Sequence, residues 1–134
     1  MSKEIKETLD AMRGAGSAEL EQLRAKLEEF PLGEVVQAGL ELYESTYWAG
    51  CMHHIVCMCQ RRGAAAWPAL AKAAKLDWEG VSFLVMTIAE CKGVSAEERL
   101  EAMRDLAASP HKDVIYEVLE CIDEPRQVFG RWRE

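Results

Sequence analysis

Seven side chains able to bind a soft or borderline metal stand within nine consecutive residues, Cys51-Met52-His53-His54-Ile55-Val56-Cys57-Met58-Cys59. Thiolate, imidazole and thioether together suit zinc or copper, and a thiol beside an imidazole suits redox or nucleophilic chemistry. Only Cys91, Cys121 and His111 add further Cys or His residues. The rest of the chain shows no catalytic motif.

The period of the segment decides how many of the seven side chains can converge. Its apolar pattern is helical, and at 100° per residue Cys51, Ile55 and Cys59 share one arc, flanked by His54 and Met58 and widened by Met52 and Val56. His53 and Cys57, four residues apart, share a different face. A tetrahedral site therefore draws about two ligands from this helix and needs the rest from elsewhere. His53 with Cys57 is the best pair, and His54 with Met58 the second. The segment contains no C-x-x-C, the spacing that wraps a metal in a turn, and no Gly-rich helix start to act as an oxyanion site for a Cys57 nucleophile. Reduced cysteine packs as a small hydrophobe. The expectation is a core helix whose only chemical pair is His53 and Cys57, with no resident cofactor.

Helical punctuation continues on both sides. The first helix runs from about Ser2 to Met12 and ends at Gly14 and Gly16. Ser17 reads as the N-cap of the next, with Leu20, Leu23, Leu27 and Phe30 on one stripe and Pro31 after it. A long third helix is expected from about Leu32 to Arg62, with a bend near Gly50. After Gly63 an alanine-rich helix covers about Ala65 to Lys75, with Pro68 in its first turn. Asp77 reads as the cap of a helix apolar nearly all round, in which Val81, Leu84, Val85, Ile88 and Cys91 face inward and Phe83 and Met86 cover the other side. Ser95-Ala96-Glu97-Glu98 is a capping box, and Pro110 opens a last helix whose stripe is Val114, Ile115, Val118, Leu119 and Ile122. No β-alternation with turn chemistry occurs. The fold class is all-α, about seven helices in one domain over 1–134: an N-terminal pair (1–30), a main body (31–124) and a tail (125–134).

Two architectures fit, a compact bundle or a short stack of helical hairpins. A shift of 30 residues weakly aligns Leu84-Val85, Ile88 and Glu90-Cys91 with Val114-Ile115, Val118 and Glu120-Cys121, a spacing that suggests stacked hairpins, though two copies leave the compact bundle as the alternative. The stretch from Gly63 to Val85 has a glycine, an aromatic, an Ala-Leu-Ala run, a turn and a valine-containing helix. It resembles a segment of HEAT-like helical-repeat domains of unknown function from alphaproteobacteria. That resemblance implies a bacterial, repeat-like helical fold and no activity.

Leu70 to Leu84 also has the pattern of a helix-turn-helix, with Ala71, Leu76, Val81 and Leu84 at its packing positions and Lys75 where a turn glycine is usual. The would-be recognition helix, Asp77 to Thr87, carries no Arg, Lys, Asn or Gln for base edges, and its leading acids would face phosphates. Net charge is −7, from 23 acidic and 16 basic residues, which argues against phosphate-backbone binding. The charged start Met1-Ser-Lys-Glu-Ile-Lys-Glu lacks a signal-peptide core, and no uncharged apolar run reaches the ~20 residues of a membrane span. A cytoplasmic protein with five reduced cysteines is expected.

Surfaces for a partner are then the remaining candidates. Glu34, Gln37, Glu41, Glu44 and Trp48 fall on one stripe of the third helix, an acidic ridge ending in an aromatic anchor that suits a basic protein surface. The tail Pro125–Glu134 carries Phe129, Trp132 and three arginines; it either folds back on acidic helices or serves as a docking peptide or homodimer contact. The functional expectation is a non-catalytic interaction protein of inhibitor, immunity or adaptor type. A zinc, copper or thiol-redox protein built on His53 and Cys57 is the second, and a nucleic-acid-associated regulator the third.

Overall fold

A computed structural model describes residues 2–123 of the chain, and among these there is no strand. Eight α-helices are present: α1 (Ser2–Ala11), α2 (Ser17–Leu27), α3 (Leu32–Thr46), α4 (Gly50–Arg62), α5 (Trp67–Ala73), α6 (Val85–Ala89), α7 (Ala96–Ala107) and α8 (Lys112–Asp123). Two 3-10 segments, Gly63–Ala66 and Glu79–Leu84, complete the set. The fold is all-α, as the periodicity predicts. No helix among the described residues is long and apolar enough to cross a membrane.

The helices pack in two groups joined through the middle of the chain. α3 packs on α1, α4, α5 and the second 3-10 segment, while α6, α7 and α8 pack on one another and α8 also lies against that 3-10 segment. One continuous core results, with Ile5, Leu9, Leu27, Leu40, Met52, Ile55, Leu70, Leu84, Ile88 and Leu106 among its buried side chains. The helical stripes explain it: Val35, Val36, Leu40 and Leu42 point inward from α3, and Cys51, Ile55 and Cys59 from α4.

The expected long third helix is two helices. Tyr47, at φ 55° and ψ 21°, ends α3 in the left-handed conformation, and its N–H bonds back to Tyr43 C=O at 2.7 Å. That residue turns the chain, so α4 doubles back on α3 instead of continuing it. At the other end of α4, Gly63 (φ 56°, ψ −128°) adopts a conformation that a side chain would oppose.

The segment expected as a helix capped by Asp77 is a 3-10 segment followed by the short α6. Asp77 makes no cap. Instead the Glu79 N–H donates to Glu44 Oε1 on α3 at 2.9 Å, so a distant carboxylate satisfies the segment's first donor. Nor does Ser17 cap α2, whose N-cap is Gly16 without a side-chain bond. Ser95 caps α7 as expected, its Oγ accepting from Glu98 N–H at 3.2 Å, while the Glu98 carboxylate lies 3.1 Å from the Ser95 hydroxyl. Pro110 lies ahead of α8 instead of in its first turn, and the Ile115 N–H bonds to His111 C=O.

Candidate interaction site

The Cys51–Cys59 segment is helical and divides as its period predicts. Cys51, Met52, Ile55, Met58 and Cys59 are buried, whereas His53 and Cys57 are exposed. Burial pushes the thiols of Cys51 and Cys59 up to about 11, with Cys91 reinforcing the shift at Cys59, so both are protonated and inert near neutrality. The Cys51 thiol donates to Trp48 C=O at 3.1 Å and pins the turn before α4. Cys59 and Cys91 line a cavity of about 890 Å³ together with Glu90, Lys92 and Arg99, so one carboxylate and two cationic side chains border it.

Among the described residues, His53 and Cys57 receive no third ligand. Among the described residues no group of three or more His, Cys, Asp or Glu side chains could hold a metal ion. His53 packs edge-on against Phe83, ring centres 5.8 Å apart, which gives its exposed imidazole a place on an aromatic surface. His54 is half-buried beside Trp48, and burial first, then the charge of Arg24, lowers its pKa.

The acidic ridge of α3 is largely engaged in packing. Glu41 pairs with Lys6 Nζ at 3.0 Å and accepts from Ser2 Oγ at 3.2 Å, and the Lys6 hydrogen bond holds its carboxyl below the usual range. Glu44 caps the second 3-10 segment, and only Glu34 of the three stands exposed at the start of α3. Trp48 is turned off the ridge by the left-handed Tyr47, and is half-buried with the Arg13 guanidinium 5.3 Å from its ring centre. Phe129 and Trp132 lie outside the described residues.

The fold instead assembles an aromatic and acidic face that the sequence period did not reveal. Tyr43 of α3 meets Phe83 edge-on at 5.1 Å and Tyr47 at 5.8 Å. Tyr47, Met86, Tyr116 and Leu119 are all exposed, Tyr47 at 65% and Tyr116 at 62%. Around them stand Glu44, Glu79 and Asp113. Burial, then Glu79 and Asp113, raise the Tyr43 phenol pKa, which places both carboxylates near its ring. Asp113 raises the Glu79 carboxyl, first through a side-chain hydrogen bond, and Glu117 is raised by burial and by Glu120 and Asp113. Between these groups lies a cleft of about 390 Å³ lined, among the described residues, by Tyr43, Ser82, Phe83, Met86, Asp113, Tyr116 and Glu117, none of them basic. The only sequence signal for it is the apolar surplus of the Asp77–Thr87 stretch, whose Phe83 and Met86 cover the side opposite its inward stripe; Phe83 is half-buried and Met86 exposed.

No family model matches the chain, and neither a curated protein nor a solved structure is detectably similar to it.

Proposed function

We propose that this protein is a non-catalytic interaction module that binds and occludes a basic surface of a partner protein through its aromatic and acidic face. One observation carries this. Tyr47, 65% exposed, holds a left-handed backbone conformation that favours glycine, at the edge of a cluster of aromatic rings bordered by Glu44, Glu79, Asp113 and Glu117. A strained position occupied by a large exposed aromatic serves the interior of the fold poorly and serves a contact well. Tyrosines are favoured anchors at interfaces, since they bury much area with few rotatable bonds, and the surrounding acids select a basic partner and steer its approach. Inhibitor, immunity and adaptor roles all work by such occlusion. The contact lies on the Tyr43–Tyr47 end of α3 and on α8, with Glu44 at its border and Glu34 and Glu41 outside it.

The test is affinity capture from extracts of the source cells with the purified chain and with a Glu79→Lys, Asp113→Lys double variant. A basic protein retained by the former and lost by the latter, with unchanged helical circular dichroism in both, is the expected result. Retention that survives charge reversal, or no retained protein at all, would overturn the proposal. Glu41→Lys is expected to leave capture intact, because Glu41 already faces Lys6.

A further inference from the structure

The cleft beside Phe83 has two kinds of wall, and together they define what fits. Tyr43, Phe83 and Tyr116 supply ring surface from three separate elements, α3, the second 3-10 segment and α8, and Met86 supplies a flexible apolar side. Asp113 and Glu117, one helical turn apart on α8, supply carboxylates at the same opening. Tyr43 and Phe83, both in its wall, meet edge-to-face at 75° with ring centres 5.1 Å apart. A ring face attracts a cation, and a carboxylate beside it adds charge-assisted hydrogen bonds.

On the reading that the protein binds a basic partner, we propose that this cleft receives one arginine side chain of that partner, its guanidinium over the Phe83 and Tyr116 rings and paired with Asp113 and Glu117. Arginine fits better than lysine for three reasons. Its planar head stacks on rings, its fork pairs two acceptors at once, and it sheds water more readily than an ammonium ion. The methylene stem then covers Met86, which is 37% exposed. Charge complementarity supplies the remaining argument: among the described residues no lysine or arginine lines the cleft, and the whole chain carries a net charge of −7.

The probe is a short capped peptide with one arginine among neutral residues, titrated into the full chain and followed by carbon–proton NMR. The Met86 methyl and the Phe83 and Tyr116 ring signals are expected to move. Affinity is expected to fall about tenfold in Phe83→Leu and in Asp113→Asn, with the lysine peptide about threefold weaker and the citrulline peptide silent. Cleft signals that stay still, or equal responses to arginine and lysine in all variants, would overturn the proposal. So would a shift of the same signals when Arg126, Arg131 and Arg133 are changed to Gln in the full chain, which would make the chain's own tail the occupant. Shifts on concentrating the protein without peptide would assign the cleft to a second copy instead. A partner captured equally by wild type and Phe83→Leu would remove the arginine proposal while leaving the interaction module intact, whereas failure to capture any partner would remove the module itself.

Discussion

Gly39 on α3 and Ile55 on α4 meet so closely that a Cβ carbon built at Gly39 would overlap Ile55 Cδ1, with Ile55 Cγ1 at 3.4 Å and Met52 Sδ at 3.7 Å. The contact lets α4 fold back directly onto α3, and so fixes His53 beside Phe83. Gly39→Ala therefore sets two effects against each other: a helix-propensity gain of about 1 kcal/mol and an overpacking cost of about 1–3 kcal/mol in a buried, well-filled site. The cost is expected to win by about 1 kcal/mol. Ile55→Val removes the clashing methyl at a cost of its own of about 0.5–1.5 kcal/mol. The double variant is then expected to be more stable than the sum of the two single losses, read from urea midpoints in a double-mutant cycle. Strict additivity would show that the helices yield elsewhere.

Tyr47 offers a test that separates stability from binding. At φ 55°, glycine is favoured over alanine by about 1 kcal/mol because it carries no Cβ. Tyr47→Gly is expected to be more stable than Tyr47→Ala by about that amount, and close to wild type, since the lost edge contact with Tyr43 offsets the relieved strain. Both variants are expected to lose partner capture. A wild type that exceeds Tyr47→Gly in stability by several kcal/mol would mean that Tyr47 is held for the fold and not for a contact.

The period of α4 was legible in residue order alone, because burial of Cys51, Ile55 and Cys59 and exposure of His53 and Cys57 follow from the helical repeat. The interaction face was not. Tyr43, Phe83 and Tyr116 come from elements separated by dozens of residues, and only packing of α8 and the second 3-10 segment on α3 brings them together. The Asp77–Thr87 stretch misled for a physical reason: in a run that is apolar nearly all round, periodicity cannot separate a 3-10 segment from an α-helix or an inner face from an outer one. Trp48 falls on the α3 stripe only if that helix continues past Thr46, and the left-handed Tyr47 redirects it. Glu41 and Glu44 fall on the stripe where the helical repeat puts them, yet their roles as an ion pair and a cap depend on partners 35 residues or more away.

Thiol chemistry is expected to single out one cysteine. Of the five, only Cys57 is exposed, while Cys51, Cys59, Cys91 and Cys121 are buried. At neutral pH a mild alkylating reagent is expected to modify Cys57 alone, with the others slower by about 100-fold and limited by opening of the fold. Mass mapping of the modified peptide checks the site, and Cys57→Ser is expected to abolish the fast phase. Rapid labelling of Cys59 or Cys91 would show that their shared cavity opens easily.

Acid is expected to loosen the junction of α2 and α4. Glu28 accepts from Arg61 at 2.9 Å and from Arg62 at 2.5 Å, and these bonds, Arg62 first, lower its pKa below the usual 4.5. A lowered carboxylate contributes stability that is present above 4.5 and lost as pH falls through the folded-state value. The pairs are solvent-exposed, so the contribution is held to about 1 kcal/mol or less. Glu28→Gln is expected to be less stable than wild type near neutrality and equal to it in strong acid. A gap in urea midpoint that persists in strong acid would assign the loss to packing instead of charge.

Asp113 and Glu79 invert that sign. Hydrogen bonding to Asp113 raises the Glu79 pKa, so Glu79 favours folding most below 4.5, and that support fades as pH rises through its folded-state value. Above it the two carboxylates repel across the rim of the cleft, with Glu44 adding to the repulsion and His111 opposing it. Asp113→Asn removes one of the charges and keeps a hydrogen-bonding group, so the variant is expected to be more stable than wild type near neutrality, with the gain disappearing in acid. The same substitution is expected to weaken arginine binding, because the repelling pair is what a guanidinium would neutralise. Urea midpoints for both proteins across the range from neutral to acid, measured with and without the arginine peptide, check the two effects together. A variant that gains stability near neutrality without losing affinity would mean that the repulsion is not held in reserve for a cation.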